Sequence, residues 1–161
     1  MNTKYAQGTR VSTARSQEEI GSILKRFGAD KTIWMRDDKA GEVVLAFQRG
    51  KLTYKFILPF PAIDDVPAPI NRSHRSFEDR ERAALDQELQ RRFRSLANYV
   101  KAILDAVDSG IITAEEALLP YAVLPGGETV AQHLQPQLTT MLNTGKVPSI
   151  LLALPSERSE A

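Results

Sequence analysis

The apolar residues between positions 76 and 110 recur at every third or fourth position, and this spacing constrains the fold more than any other feature of the chain. They are Leu85, Leu89, Phe93, Leu96, Val100, Ile103, Leu104 and Val107. The pattern predicts one long amphipathic helix with a single buried stripe. Ser76 is the predicted N-cap, and Gly110 suits a left-handed C-terminal cap. At about 1.5 Å per residue the helix reaches roughly 50 Å, so we expect part of it to project or to lie against a partner chain.

The amino-terminal half of this predicted helix is densely charged. Its arginines Arg80, Arg82, Arg91, Arg92 and Arg94 are interspersed with Glu78, Asp79, Glu81, Asp86 and Glu88, and Arg72, His74 and Arg75 precede them. One interpretation is an arginine-rich surface that meets phosphates. The other is a solvated helix face on which acids and bases pair, for example Glu88 with Arg91 and Arg92. The thorough mixing of the two signs favours the second.

From residue 31 to residue 58 the hydrophobic period changes from 3.6 to 2, which predicts strands. Three are expected, at 32–36, 43–48 and 51–58, with turn residues between them. In the third strand, Leu52, Tyr54, Phe56 and Leu58 should share one face, and Thr53, Lys55 and Ile57 the other. The segment is therefore predicted to be an antiparallel meander with one face on the core and one more polar face.

Helix-capping patterns predict the remaining helices. Ser16 with Glu19 reads as a capping box for a short first helix that Gly28 ends. The pairs Thr113 with Glu116 and Thr129 with Gln132 open two more helices, the last with the stripe Val130, Leu134, Leu138, Met141 and Leu142 and with Gly145 at its end. Pro59, Pro61, Pro67 and Pro69 predict an extended crossover before the long helix.

The predicted fold class is α+β. It has an α-β-β-β-α core with a three-stranded antiparallel meander, one long helix and a small helical C-terminal part. Residues 1–15 are expected to be a disordered N-terminal arm, residues 16–154 a single α+β domain, and residues 155–161 a disordered tail. Within the domain, the apolar run 148–154 is expected to pack back on the core.

Composition narrows the classes of function. The chain of 161 residues suits one domain, and its net charge of +1 does not by itself indicate a nucleic-acid or membrane partner. The absence of cysteine excludes disulfides, thiolate metal sites and Cys nucleophiles. No apolar run approaches the ~20 residues that span a membrane. We therefore expect a cytoplasmic protein with no membrane partner.

The sequence lacks the motifs of the common catalytic centres. There is no H-x-x-x-H spacing between its two histidines, no G-x-S-x-G elbow, no P-loop and no G-x-G-x-x-G. Adjacent carboxylates such as Asp37 and Asp38 point in different directions along a strand or helix, and turn or capping roles explain them. We predict no catalytic residues, no metal and no cofactor, and hence a protein that is not an enzyme.

Basic and aromatic residues along the meander are the candidates for nucleic-acid binding. Bases stack on exposed rings while Lys and Arg follow the phosphates. The candidate site consists of Trp34 as a stacking platform and Arg49, Lys51, Lys55, Arg72, Arg75, Arg91, Arg92 and Arg94 as phosphate contacts. The alternative is that Trp34 and Tyr54 are core aromatics, the more common fate of such residues. Single-stranded and double-stranded DNA or RNA remain open.

Three resemblances bear on the setting of the protein. The element order is similar to that of double-stranded-RNA-binding domains and to the annealing proteins that phages use for recombination, in topology alone. A closer match, over the run RFRSLANYVKAILDAVDSGIITAEEALLPYAVLPGGETVAQHLQPQL, resembles small phage- and prophage-encoded proteins of no established activity. Residues 106–111, Glu115 with Glu116, and residues 123–130 carry that pattern. The resemblance implies a phage role in DNA metabolism or host interaction.

Two hypotheses follow. The first is a small non-enzymatic phage or prophage protein that binds nucleic acid as an accessory to DNA replication or recombination. The alternative is a protein-interaction factor, for example an inhibitor of a host defence or regulatory protein, with Leu85 and Leu89 of the long helix as the contact or as the seam of a homo-oligomer. The hypotheses differ in whether the arginines form one continuous face or lie neutralised beside acids.

Overall fold

The computed structural model describes residues 11–66 and 76–145. Within these ranges the chain forms four α-helices and three strands: α1 Thr13–Arg26, β1 Lys31–Asp37, β2 Glu42–Arg49, β3 Leu52–Pro59, α2 Phe77–Asp108, α3 Ala114–Leu118 and α4 Val130–Thr144. Short 3-10 turns occupy Ile63–Asp65 and Leu119–Tyr121. The predicted α+β class, with three strands before one long helix, is confirmed.

The three strands form one antiparallel sheet in the order β1-β2-β3. Leu45 on the central strand lies opposite Trp34 on β1 and opposite Phe56 on β3. Gly50, at the turn between β2 and β3, has a φ of 59°, a conformation that favours glycine. The meander and its register therefore follow the period-2 pattern of the sequence, with strand ends within about one residue of those predicted.

One face of the sheet packs against α1 and α2. The core that they share contains Ile20, Ile23, Leu24, Leu45, Phe47, Tyr54, Phe56, Ala97, Val100, Leu104, Leu118 and Ala122. Tyr54 and Phe56 face inward, as their alternation predicts. The opposite face, here called the open sheet face, carries Thr53 and Lys55 as expected. Its centre is apolar, however, because Ile33, Met35, Val44, Ala46 and Ile57 also lie on it.

The long helix begins and ends where the capping residues indicate. The Ser76 hydroxyl accepts a hydrogen bond from the Asp79 amide at 3.1 Å. Gly110, two residues after the last helical residue, has a φ of 70°. The 32 residues of α2 span roughly 48 Å. Its carboxyl-terminal half forms core, with Phe93, Ala97, Val100 and Leu104 buried.

The predicted start of the first helix is wrong. Ser12 is the N-cap, since its hydroxyl accepts a hydrogen bond from the Arg15 amide at 3.3 Å. Ser16 therefore lies inside α1, where it is fully buried. Residues 13–15, assigned from sequence to the arm, are helical. Gly28, with a φ of 90°, follows the C-cap as predicted.

The C-terminal part is attached to the outer edge of β3. Tyr54 forms a β-bridge with Ala122, and the Val123 amide donates to the Thr53 carbonyl at 2.8 Å. Both predicted capping boxes, Thr113 with Glu116 and Thr129 with Gln132, are present. Gly145, with a φ of 65°, ends α4.

The stripe of α4 only partly reaches the core. Val130 packs against it, whereas Leu138 is 46% and Leu142 80% exposed. The predictions for residues 1–10, 148–154 and 155–161 lie outside the described residues.

Candidate nucleic-acid interface

The arginines at the middle of α2 are engaged by acids. Arg91 donates from Nε and Nη2 to the two carboxylate oxygens of Glu88, at 2.7 and 2.6 Å. The hydrogen bonds to Glu88 raise the pKa of Arg91. Arg94 is ion-paired with Glu19 on α1. The side chains of these arginines are less than one-third exposed and are paired with acids, so they do not form a continuous free basic face.

Arg92 is the most extensively bonded of the three. Its Nη2 donates to Asp65 at 2.6 Å, and its Nη1 donates to the Pro59 and Phe60 carbonyls at 2.9 and 3.3 Å. Glu88, which is 8% exposed, accepts from Nε at 3.4 Å. The guanidinium thus ties α2 to the crossover that follows β3.

The aromatic candidates are structural. Tyr54 is 4% exposed and stacks on Phe47 with ring centroids 5.1 Å apart. Trp34 is half-buried, with its ring 5.6 Å from that of Phe93. The Lys55 ammonium donates to the Gly127 carbonyl at 2.8 Å. Of the phosphate contacts predicted on the sheet, Arg49 and Lys51 belong to a second group of cations at one end of the sheet. Arg72 and Arg75 lie outside the described residues.

Trp34 forms one wall of a cleft of about 270 Å³ between the start of α1, β1 and α2. Its lining residues are Thr13, Gln17, Trp34, Met35, Arg36, Val43, Leu89 and Phe93. At its rim the Arg36 guanidinium is paired with Asp38 at 2.7 Å and lies over the Phe60 ring. Leu89, which the sequence offered as an external contact, therefore faces this cleft within the domain.

A second set of cations converges where α1 ends, β1 begins and β2 turns into β3. This set, here called the basic end, consists of Lys25, Arg26, Lys31, Arg49 and Lys51. The pairing of Lys31 with Gln48 and of Arg49 with Leu52 fixes the strand ends beside each other. Across the described residues, none of the five makes an ion pair.

Local contacts shape the basic end. The Asp30 amide donates to the Gln48 carbonyl, and the Asp30 carboxylate accepts from the Gly50 amide, both at 2.8 Å. Asp30 is the one acid within the segments 25–31 and 48–52. The Arg49 guanidinium lies over the Phe27 ring, 4.5 Å from its centroid. That contact holds Arg49 in place while leaving its charge uncompensated.

The opposite end of the sheet has a different balance. Segment 36–42 contains Asp37, Asp38 and Glu42 against Arg36 and Lys39. The Asp37 carboxylate accepts from the Lys39 and Ala40 amides at 2.9 and 2.8 Å. The sheet is therefore polarised along its strands, with the excess positive charge confined to the basic end.

Sequence reasoning missed Lys25, Arg26 and Lys31. They are far from Arg49 and Lys51 in the chain, and no linear motif joins them. An antiparallel meander preceded by a helix does bring the helix end, the first strand start and the second turn to the same edge. The topology therefore contained a signal that a search for charge runs does not detect.

Within residues 11–66 and 76–145, no group of three or more His, Asp or Glu side chains is placed to hold a metal ion. In the same ranges no helix combines the length and apolarity required to cross a membrane.

The fold is a two-layer α+β domain with a polarised sheet. No protein family, curated protein or solved structure matches this chain.

Proposed function

We propose that the chain is a non-enzymatic phage or prophage protein that binds the phosphate backbone of DNA or RNA through its basic end, as an accessory to DNA replication or recombination. The observation that carries the proposal is the group of five cations without an ion-pair partner in the described chain, on two segments, 25–31 and 48–52, whose one acid is Asp30. The phage setting comes from the sequence resemblance alone.

Geometry favours a backbone contact. Lys25, Arg26, Lys31 and Lys51 are exposed, and Arg49 is steadied by the Phe27 ring. Phosphate oxygens accept from Lys and Arg without regard to sequence, and association releases counterions. Because Trp34 and Tyr54 are packed, base stacking on the sheet is not part of this proposal. We expect weak, salt-sensitive binding with little sequence preference.

The test is binding to labelled single-stranded and double-stranded DNA and RNA over a salt series. With three to five phosphate contacts on a duplex, a plot of the logarithm of the affinity against the logarithm of the salt concentration should have a slope of about −2.7 to −4.5. Lys51→Glu should weaken binding several-fold and reduce the slope by about 1 or more.

Lys39→Glu is the matched control, because it makes the same charge change on an exposed lysine at the opposite end of the sheet. It should leave binding nearly unchanged. Equal losses in the two variants would show that only net charge matters and would overturn the site. Vesicles containing phosphatidylserine form a further arm: binding to vesicles without binding to nucleic acid would refute the proposed ligand.

A second candidate function is a protein-interaction factor, such as an inhibitor of a host defence or regulatory protein. It is favoured by Phe77 at the start of α2, a large apolar side chain that is 57% exposed. A photo-crosslinker at position 77 should then capture one specific protein. Phe77→Ala should abolish binding to that purified protein, whereas Lys51→Glu should not affect it.

A further inference from the structure

The open sheet face has an apolar centre that water reaches. Ile33 is 54% exposed and Met35 49% exposed, whereas Val44 between the outer strands is 7% exposed. Ala46 and Ile57 are half-buried beside them. Large apolar side chains grouped on one flat surface are a typical mark of an interaction site.

Charges of opposite sign border this apolar centre at the two strand ends. Lys31, with its neighbours Gln48 and Thr53, forms one end row. Asp37 and Glu42 lie side by side in the other end row, next to Pro59. Along β1 the face therefore reads positive, apolar, apolar, negative. On β3 the second row holds Lys55, whose ammonium donates to the Gly127 carbonyl.

We propose that the open sheet face is the interface of a homodimer in which two copies stack face to face with their strands running in opposite directions. A two-fold axis parallel to the sheet and across its strands relates the copies. It puts Lys31 of one copy over Asp37 of the other, and Ile33 over Met35. Ala46 then lies over Val44, and Gln48 over Glu42. On β1 and β2 the pattern is self-complementary in charge and in apolarity, as an isologous interface requires, and on β3 the stem of Lys55 lies over Ile57.

The size of the face sets the expected strength of this dimer. Strands of seven or eight residues at about 3.3 Å each, in a sheet three strands wide at about 4.8 Å, give a face of roughly 23 by 14 Å. A standard interface buries about 800 Å² per partner, and this face offers less. The dimer is therefore expected to exchange with monomer as concentration changes.

Dimerisation through the open sheet face does not require nucleic-acid binding at the basic end. The antiparallel arrangement directs the two basic ends to opposite ends of the dimer. Lys31 belongs to both surfaces, so the two hypotheses are tested with different variants. Lys51→Glu probes the nucleic-acid site, and substitutions at the centre of the open sheet face probe the dimer.

The test is sedimentation equilibrium of the full chain over a wide concentration range, with circular dichroism to verify folding. The wild-type chain should show a reversible monomer–dimer equilibrium. Ala46→Glu puts a carboxylate at the centre of the face and should weaken dimerisation at least tenfold. Thr32→Glu serves as control, because Thr32 is an exposed residue of β1 that alternates to the other face.

A charge exchange tests the register. Lys31→Glu should weaken the dimer, because the new carboxylate lies over the Asp37 carboxylate of the partner. Adding Asp37→Lys, at the position that lies over residue 31 of the partner, should restore association to near the wild-type level, and this readout holds even where Ala46→Glu fails to fold. A wild-type chain that stays monomeric at the highest concentration overturns the proposal. So does a dimer that Ala46→Glu leaves intact, which would indicate pairing through the β1 edge or α2 instead.

Discussion

Arg92 on α2 and Asp65 on the crossover are joined at 2.6 Å, between Nη2 and Oδ2, while the second terminal nitrogen of Arg92 donates to the Pro59 and Phe60 carbonyls. One planar guanidinium thus satisfies groups on two parts of the chain. A lysine ammonium is a point charge on a flexible stem and does not reproduce this fork. The residue is a structural clamp, although its type and position also suit a phosphate contact.

We predict that Arg92→Lys lowers the free energy of unfolding by about 2 kcal/mol, because charge-assisted hydrogen bonds are lost at a partly buried site. Urea unfolding measures this change. Arg82→Lys on the same helix is the control: Arg82 is exposed, and its substitution should stay within about 0.5 kcal/mol. Equal midpoints for the two variants would show that the clamp contributes nothing to stability.

Alanine substitutions at two serines of the first helix, Ser12 and Ser16, should change the stability of the protein in opposite directions. Ser12→Ala should destabilise the protein by about 1 kcal/mol, because the Ser12 hydroxyl caps the helix. Ser16→Ala should stabilise it by about 1 kcal/mol, because the buried Ser16 hydroxyl has no hydrogen-bond partner within the described chain. Thermal unfolding of both variants tests the pair. The reverse signs would mean that α1 starts at Ser16 after all.

Alanine substitutions at Gly50 and Gly21 should also change the stability of the protein in opposite directions. Gly50 has a φ of 59°, so Gly50→Ala introduces backbone strain and should lower the free energy of unfolding by about 1 kcal/mol. Gly21 is helical, and a Cβ added there meets nothing within 4 Å. Gly21→Ala should therefore stabilise the protein by about 0.5–1 kcal/mol. Chemical denaturation of the two variants distinguishes backbone strain from a general effect of replacing glycine.

The raised pKa of Tyr121 predicts a loss of folding stability at alkaline pH. Burial, together with a hydrogen bond to the Tyr99 hydroxyl, raises the pKa of Tyr121 from 10.0 to about 12. Between these values the unfolded chain releases the proton more readily than the folded chain, so unfolding becomes easier as pH rises. The contribution is complete below pH 10 and should be lost by about pH 12.

The absorbance of tyrosinate, followed during an alkaline titration, gives the measurement. Tyr121→Phe should remove the component that titrates near pH 12 and flatten the fall of stability over that range. If the wild type and Tyr121→Phe titrate identically, the assignment of the shift to Tyr121 is wrong.

The elements were predictable from sequence because each depends on a local pattern. The spacing of Phe93, Val100 and Leu104 defines the buried side of α2, and alternation defines the strands. Capping residues fixed most helix ends. Ser12 was the exception: Ser16 with Glu19 matches the capping-box pattern, but Ser12 caps a longer helix that also contains Ser16.

The candidate site was less predictable because charge type does not reveal pairing. Arg94 and Arg49 look equally available in the sequence, yet Glu19 on another helix neutralises Arg94, while Phe27 supports Arg49 without neutralising it. Likewise, alternation predicted that Ile57 faces away from the core. It did not reveal that Ile33 and Met35 would join it on the same surface.

The ion pair between Glu19 and Arg94 spans 75 residues, whereas the two β-turns join neighbours in the chain. Closing so long a loop costs entropy that the short turns avoid. The meander is therefore expected to assemble first and to serve as the platform on which α1 and α2 meet late. Glu19→Gln should then accelerate unfolding and leave the folding rate almost unchanged, so that this contact sets how long the native state lasts.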